Sequence, residues 1–256
     1  MTEPIADTGD NVTSLGGNRP LYDGCQQLAL PSFAHADLPM PWTARRMRRG
    51  TCLHRAGMPA SAVYVVRFGC LKSSIPGDSG EELVLDFPMR GDLIGADALA
   101  GQPCATDVVA LEDSEVMVLP LADFEAACAR MPELRHDLYR HFGAALRKER
   151  EHLKRLGGMR AAQRVARFLF ELSARYASFG QSSRAFYLRM SRAEIGSYLG
   201  LTLESVSRLL SRMHDDGLIK VNLRQVELID VDALRVIANG PEPKATVENW
   251  PLQAAA

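Results

Sequence analysis

The chain is short of most features that mark a membrane, secreted or catalytic protein. No run approaches the roughly 18 apolar residues of a membrane-spanning helix, and the first residues are polar and acidic, unlike a secretory leader. Five cysteines (Cys25, Cys52, Cys70, Cys104, Cys128) are scattered without a single C-x-x-C pair. An odd, unclustered set excludes a disulfide framework and fits a reducing compartment, so a soluble, cytoplasmic protein with no membrane partner is expected. The first half holds two histidines, His35 and His54, too few and too far apart for a cupin-type metal site. No Ser/His/Asp set, phosphate-binding loop or dinucleotide fingerprint occurs, and no enzyme activity is expected.

Positive charge is present but unevenly placed. The formal net charge is −1, yet residues 154–224 carry 13 Lys/Arg against 5 Asp/Glu, a net of +8 that leaves −9 for the rest. A basic C-terminal third suits a phosphate-facing module joined to one of another kind.

Periodicity divides the chain. Residues 1–19 are polar and Gly-rich and read as a disordered tail, as do residues 240–256 with Pro241, Pro243 and Pro251. Within a first domain at 20–131, short β-type runs (Ala62–Phe68, Glu82–Phe87, Val108–Leu119) are separated by glycines, the pattern of a β-barrel or roll. The Arg45, Arg46, Arg48, Arg49 cluster before the first strand reads as solvated surface rather than a nucleic-acid patch. A short helix over Pro120–Met131 precedes a long one over 132–158, expected to end at Gly157-Gly158. Its apolar stripe, Leu134, Leu138, Phe142, Ala145, Leu146, Leu153 and Leu156, lies amid dense charge. Such a seam can pack on its own domain or on a copy of itself, and we expect the copy.

The last domain, 159–239, opens with an amphipathic helix (Arg160–Phe179) and a strand (Phe186–Met190). Ser191 with Glu194 has capping-box spacing, Ile195 and Leu199 share a face, Gly200 permits a turn, and Thr202 can cap a second helix. Val206, Leu209, Leu210 and Met213 form the buried stripe of that helix, while Glu204, Ser207, Arg208, Ser211 and Arg212 line the opposite face. A helix lying in the major groove needs such a face, short donors and acceptors beside cations. A merely solvated helix pair is the plainer alternative, but two caps, the turn and two stripes agree on a DNA-reading helix-turn-helix. Leu218–Val221 and Val226–Ile229 around a polar turn complete a winged helix.

This order of parts resembles the CRP/FNR family of bacterial transcription regulators. The resemblance rests on V-Y-V-V-R-F-G (Val63–Gly69), G-D-L-I-G (Gly91–Gly95) and S-Y-L-G-L-T-L-E-S-V-S-R-L-L (Ser197–Leu210). It implies an α+β chain: an N-terminal β-roll (a cyclic-nucleotide-binding-like jelly roll), a long dimerisation helix, and a C-terminal winged helix-turn-helix. It implies duplex DNA, RNA polymerase and a second copy of the chain as partners.

The E-x-x-S-R pattern of the FNR branch falls on Glu204, Ser207 and Arg208, and Leu203 stands where the CRP branch has Arg. The resemblance therefore implies a TTGAT-N4-ATCAA palindrome: Arg208 bidentate to guanine, Glu204 accepting from a base amino group, Ser207 beside them. Arg192, Thr202, Ser205 and Arg212 are expected on the phosphate backbone. The family's long helices pair, which implies an interface of Leu134, Leu138, Phe142, Ala145, Glu149, Leu153 and Leu156. Glu149 falls where the FNR branch carries an acid in the seam; it faces its counterpart, points to solvent, or pairs with Arg150 of the other chain.

No cofactor is expected. An iron–sulfur cluster needs about four thiolates, and here the N-terminal region has Cys25 alone and the central position is Met117. The residues aligned with the cyclic AMP pocket are Cys104-Ala105 and Ala96, without the phosphate-binding Arg and with Asp107 nearby. Haem would rest on His54 or His35 alone. Two classes of function stand: a dimeric DNA-binding regulator, or a ligand- or haem-binding sensor whose output is not DNA. The recognition face favours the first.

Overall fold

A computed structural model describes residues 42–77 and 80–240. The tails expected at 1–19 and beyond Gly240, together with Cys25 and His35, lie outside the described residues.

Alternating apolar residues build eight antiparallel strands: β1 Thr43–Met47, β2 Cys52–His54, β3 Ala62–Phe68, β4 Leu71–Pro76, β5 Glu82–Asp86, β6 Leu93–Ile94, β7 Asp107–Ala110 and β8 Ser114–Pro120. They form two sheets, β1-β8-β3-β6 and β2-β7-β4-β5. Met47, Leu53, Val66, Leu71, Val108 and Val116 are buried between them. The continuous run expected over Val108–Leu119 is two strands, β7 in one sheet and β8 in the other, because Leu111–Asp113 turns the chain. A run of apolar residues shows that a segment is buried, not that it stays in one sheet.

Helix α1 (Leu121–Arg130) and the 27-residue α2 (Pro132–Gly158) follow, with Pro132 in the first turn of α2, where its missing N–H costs nothing. Helix α2 ends at Gly158, as the expected 132–158 bounds have it; both glycines are still helical, and Met159 follows in extended conformation. Arg155, buried at this end, pairs with Glu171 at 2.5 Å and ties the last turn to the following helix, which offsets the glycine penalty.

The C-terminal domain comprises α3 (Ala161–Ser178), β9 (Ala185–Tyr187), α4 (Arg192–Leu199), α5 (Leu203–Asp215), β10 (Ile219–Asn222), β11 (Gln225–Leu228) and α6 (Val231–Ala238). The small sheet runs β10-β11-β9. Strand β9 is shorter than the expected Phe186–Met190, although the Leu188 N–H still donates to the Arg224 carbonyl at 2.8 Å, in register with the Tyr187–Gln225 pair.

One core joins the two domains. Cys70, Val84, Phe87 and Met89 of the roll belong to the same buried cluster as Phe168, Leu172, Ile195, Tyr198 and Val206. The chain is thus a β-roll, a long helix and a winged helix-turn-helix, with the last docked on the first.

Candidate nucleic-acid interface

Helix α4 starts where sequence reasoning placed it. Ser191 Oγ accepts the Glu194 N–H at 3.2 Å and Glu194 Oε2 accepts the Ser191 N–H at 2.7 Å, closing a capping box. Gly200 ends the helix in the left-handed region (φ 62°). Arg164 of α3 donates to the Leu199 carbonyl at 2.5 Å, satisfying the C-terminal end of α4. Gly196, which sequence reasoning did not single out, is equally constrained: a Cβ there would lie 2.6 Å from the Leu201 carbonyl oxygen, so only glycine lets the turn fold back on α4.

Thr202 Oγ1 accepts the Ser205 N–H at 3.2 Å and starts α5. Val206, Leu210 and Met213 are buried and Leu209 is half-buried. Glu204, Arg208, Ser211 and Arg212 are exposed on the other side, with Ser207 half-buried among them. Glu204 and Arg208 are one turn apart, about 6 Å along the axis, so their side chains reach neighbouring base pairs. The carboxyl of Glu204 is held below its ordinary value by its own backbone N–H, then by Thr202 and Arg208, and is an acceptor at neutral pH.

The residues expected on the backbone differ among themselves. Arg212 projects freely, with only a long 3.9 Å approach to Asp216. Thr202 is occupied by capping and also donates to Ser205 Oγ at 3.1 Å, which leaves the Ser205 hydroxyl proton available. Arg192 is half-buried and donates to the Leu223 carbonyl at 3.1 Å, so it braces the wing as well as facing outward.

Much of the basic charge of this domain faces its own roll. Arg175 meets Asp92 at 2.5 Å and Arg189 meets Glu112 at 3.1 Å, while Lys148 of α2 meets Asp86 at 2.6 Å. Lys72 of the roll bonds Glu82 and reaches Glu194 of the capping box at 3.1 Å. Burial alone would lower the Lys72 pKa, but hydrogen bonds to the two carboxylates overcome it and the group is raised. Ser197 of α4 covers the free edge of β5: its Oγ accepts the Val84 N–H and donates to the Glu82 carbonyl, both at 2.9 Å. Sequence reasoning missed Lys72 and Ser197, since no local pattern tells which distant strand a helix will meet.

His152 of α2 stacks on Tyr198 of α4 with ring centroids 4.4 Å apart. Burial lowers its pKa first, then Arg155; Asp86 opposes them and Lys148 adds the smallest lowering. His54 and His141 are lowered in the same sense, burial being the largest cause in each. A lowered histidine is protonated more readily in the unfolded chain, so stability is full above the ordinary value of 6.5 and falls as the pH drops through the interval below it. Urea midpoints should therefore decrease between about pH 7.5 and 5.5, and His152→Phe should flatten part of that slope. An unchanged slope in the variant would remove His152 from the account.

On α2 the expected seam divides. Leu134 and Leu138 are buried within their own subunit, Leu134 beside Val65 and Ala127, Leu138 beside Val63, Leu119 and Phe124. They are a correction: the roll consumes this end of the helix, and helical periodicity cannot tell which partner buries a stripe. Phe142 is half-buried against the same cluster and Ala145 is half-buried. Tyr139 (62% exposed), Leu146 (52%) and Leu153 (66%) recur every seven residues, with Phe142, Glu149 and Leu156 offset by three. Tyr139 was missed, although this heptad spacing was there to find it.

In the roll, Asp97 Oδ2 accepts the Ala105 N–H at 3.2 Å and Asp107 Oδ1 accepts the Ala56 N–H at 2.7 Å. The Cys104-Ala105 corner therefore carries two carboxylates, and burial raises the Cys104 thiol. Met117 is half-buried on β8. Among the described residues no group of three His, Cys, Asp or Glu could hold a metal ion, and no helix is long and apolar enough to cross a membrane.

Comparison with known proteins follows the same division. Residues 163–237 match the Crp-like helix-turn-helix domain and residues 44–131 the cyclic nucleotide-binding domain. The transcriptional regulatory protein btr of Bordetella pertussis is 43% identical over 190 residues, 74% of this chain and 78% of that protein. The fumarate and nitrate reduction regulatory protein of Yersinia pestis is 32% identical, covering 77% of this chain and 79% of its own length. The structure of FixK2 from Bradyrhizobium japonicum superposes with a TM-score of 0.70 at 30% identity, over 77% of this chain and 96% of that one.

Proposed function

This chain belongs to the CRP/FNR family of DNA-binding transcription regulators, and from that premise we propose that it acts as a cytoplasmic homodimer on TTGAT-N4-ATCAA palindromes. Arg208 takes the guanine, Glu204 accepts from a base amino group and Ser207 lies between them; Arg192, Ser205 and Arg212 hold phosphate, with Thr202 fixing the end of α5. The observation that carries this reading is the exposed face of α5, clear of the roll that holds α4. Two such helices about 34 Å apart match successive major grooves on one side of a duplex, and RNA polymerase would be the downstream partner. A gel shift on the palindrome, with salt varied, tests it: tight binding lost on a scrambled duplex is expected, and equal binding to both would sink the reading.

Dimerisation is assigned to the outer heptad face of α2, Phe142, Ala145, Glu149, Leu153 and Leu156, with Tyr139 and Leu146 added. Glu149 is exposed between Leu146 and Leu153. Two carboxylates placed across a two-fold axis repel and keep the dimer marginal. Glu149→Ala should strengthen self-association about tenfold, read by sedimentation equilibrium; an unchanged constant would place Glu149 outside the seam.

The effector is not a cyclic nucleotide on this reading. A buried cyclic phosphate at Cys104-Ala105 would face Asp97 and Asp107, and neither residue of that pair supplies a cation, so they do not fit that group. Neither does an iron–sulfur cluster fit the dispersed Cys52, Cys70, Cys104 and Cys128.

A further inference from the structure

We infer that Leu223, at the tip of the β10–β11 wing, is an apolar DNA contact seated against the minor groove that flanks the half-site. The inference rests on the DNA-reading role assigned to α5. It starts from a conformational outlier. Leu223 has φ 53°, and among the described residues it is the one non-glycine in the left-handed region. Asn222 pairs with Gln225, so Leu223 and Arg224 form a two-residue hairpin loop. The first central position of such a loop favours Gly, Asn or Asp when φ is positive, and a branched leucine there is disfavoured.

Burial does not compensate. Leu223 is 89% exposed, the most exposed of the large hydrophobic residues described. The side chain thus gains nothing from the fold while its backbone is strained, and strain kept at an exposed position points to function.

The tip is also held rigid. Arg192 of α4 donates to the Leu223 carbonyl at 3.1 Å, the Leu188 N–H donates to the Arg224 carbonyl at 2.8 Å, and Arg224 Nη1 donates to the Arg189 carbonyl at 3.0 Å. These bonds join the wing to the start of α4, on the domain that carries the recognition face. Arg192 and Arg224 also line one pocket together with Leu223, and uncharged Asn222 and Gln225 complete the tip. An apolar knob near fixed cations complements a surface of apolar sugar and base edges beside phosphates, which is what a minor groove offers. Arg192 and Arg224 would lie along the phosphates while Leu223 enters the groove.

The test uses the full chain and two duplexes, the palindrome with about one helical turn of flanking DNA on each side and the same palindrome trimmed to its ends. Leu223→Gly relaxes the backbone, so its thermal midpoint should be unchanged or higher, which excludes misfolding as the cause of any loss. Its affinity for the flanked duplex should fall about tenfold, with no change on the trimmed duplex and no change in base preference inside the palindrome. Undiminished binding of the flanked duplex overturns the inference, as does an equal loss on both duplexes. Reduced transcription with unaltered duplex affinity would assign the wing tip to a protein partner and overturn it too. A wild-type protein that binds neither duplex removes the α5 reading and this one together, whereas wild-type binding with an unaffected Leu223→Gly removes this one alone.

Discussion

Arg208→Ala should weaken operator binding by about 1–3 kcal/mol per half-site, or roughly 30-fold to 10⁴-fold for a dimer reading both. The guanidinium is exposed on α5 and packs into no core, so the loss should come without a change in the denaturation midpoint. Its signature is relaxed discrimination: removing a bidentate donor leaves the guanine O6/N7 edge to water, and other bases are then tolerated at that position. Arg208→Lys should recover charge but little selectivity, because a point charge lacks the planar fork. Arg212→Ala supplies the contrast, a loss nearly uniform across sequences with a salt slope reduced by about one. Binding-site selection reads both outcomes. Retention of the guanine by the Arg208→Ala variant would end the assignment of α5 as reader.

The second large effect lies far from DNA. Phe87→Ala should destabilise the folded chain by about 3–5 kcal/mol, the cost of emptying a buried aromatic site. Phe87 is buried, 5.3 Å from the Tyr198 ring and 6.2 Å from the Phe168 ring by centroids, so its cavity would open between the roll and the winged domain. The damage should therefore be partitioned: hydrogen exchange should accelerate in α4 and β5 before it does in the sheet β1-β8-β3-β6. Phe87→Leu, which keeps most of the apolar volume, should cost under about 1.5 kcal/mol. An unaltered urea midpoint for the alanine variant would show that the shared core carries no stability. Acid should loosen the same seam in two steps, first as His152 protonates and then as Asp86 does. Burial opposes the ionisation of Asp86, but Lys148 and Arg175 outweigh it and hold its carboxyl below the ordinary value of 3.8, so its contribution persists down to that range.

The recognition unit could be read along the chain because its determinants are local. Ser191 and Glu194, Gly200, Thr202 and the Val206–Leu210–Met213 stripe each act over one or two turns of backbone, and each has the role its spacing implied. The heptad of Tyr139, Leu146 and Leu153 is equally local. Leu134 and Leu138 share the helical period of the seam but lie beneath the roll, since an amphipathic period marks a face without naming its partner.

Charge was the least transparent property. The basic surplus of the C-terminal third suggests phosphate, and Arg208 and Arg212 fit that reading. Arg175 and Arg189 instead neutralise Asp92 and Glu112 of the same molecule. A sum of charges cannot separate these uses, because each depends on which groups the fold brings within a few ångströms.

Amino-acid order alone thus determined the kinds of element, their caps and turns, and the face of α5 that can meet DNA, since these follow from interactions among near neighbours. Tertiary structure decided that Phe87 completes the core of another domain, that Ser197 seals the edge of β5, and that Leu223 stands strained and bare at the wing tip. Those facts depend on packing between segments up to more than a hundred residues apart, where periodicity fixes burial but not the companion.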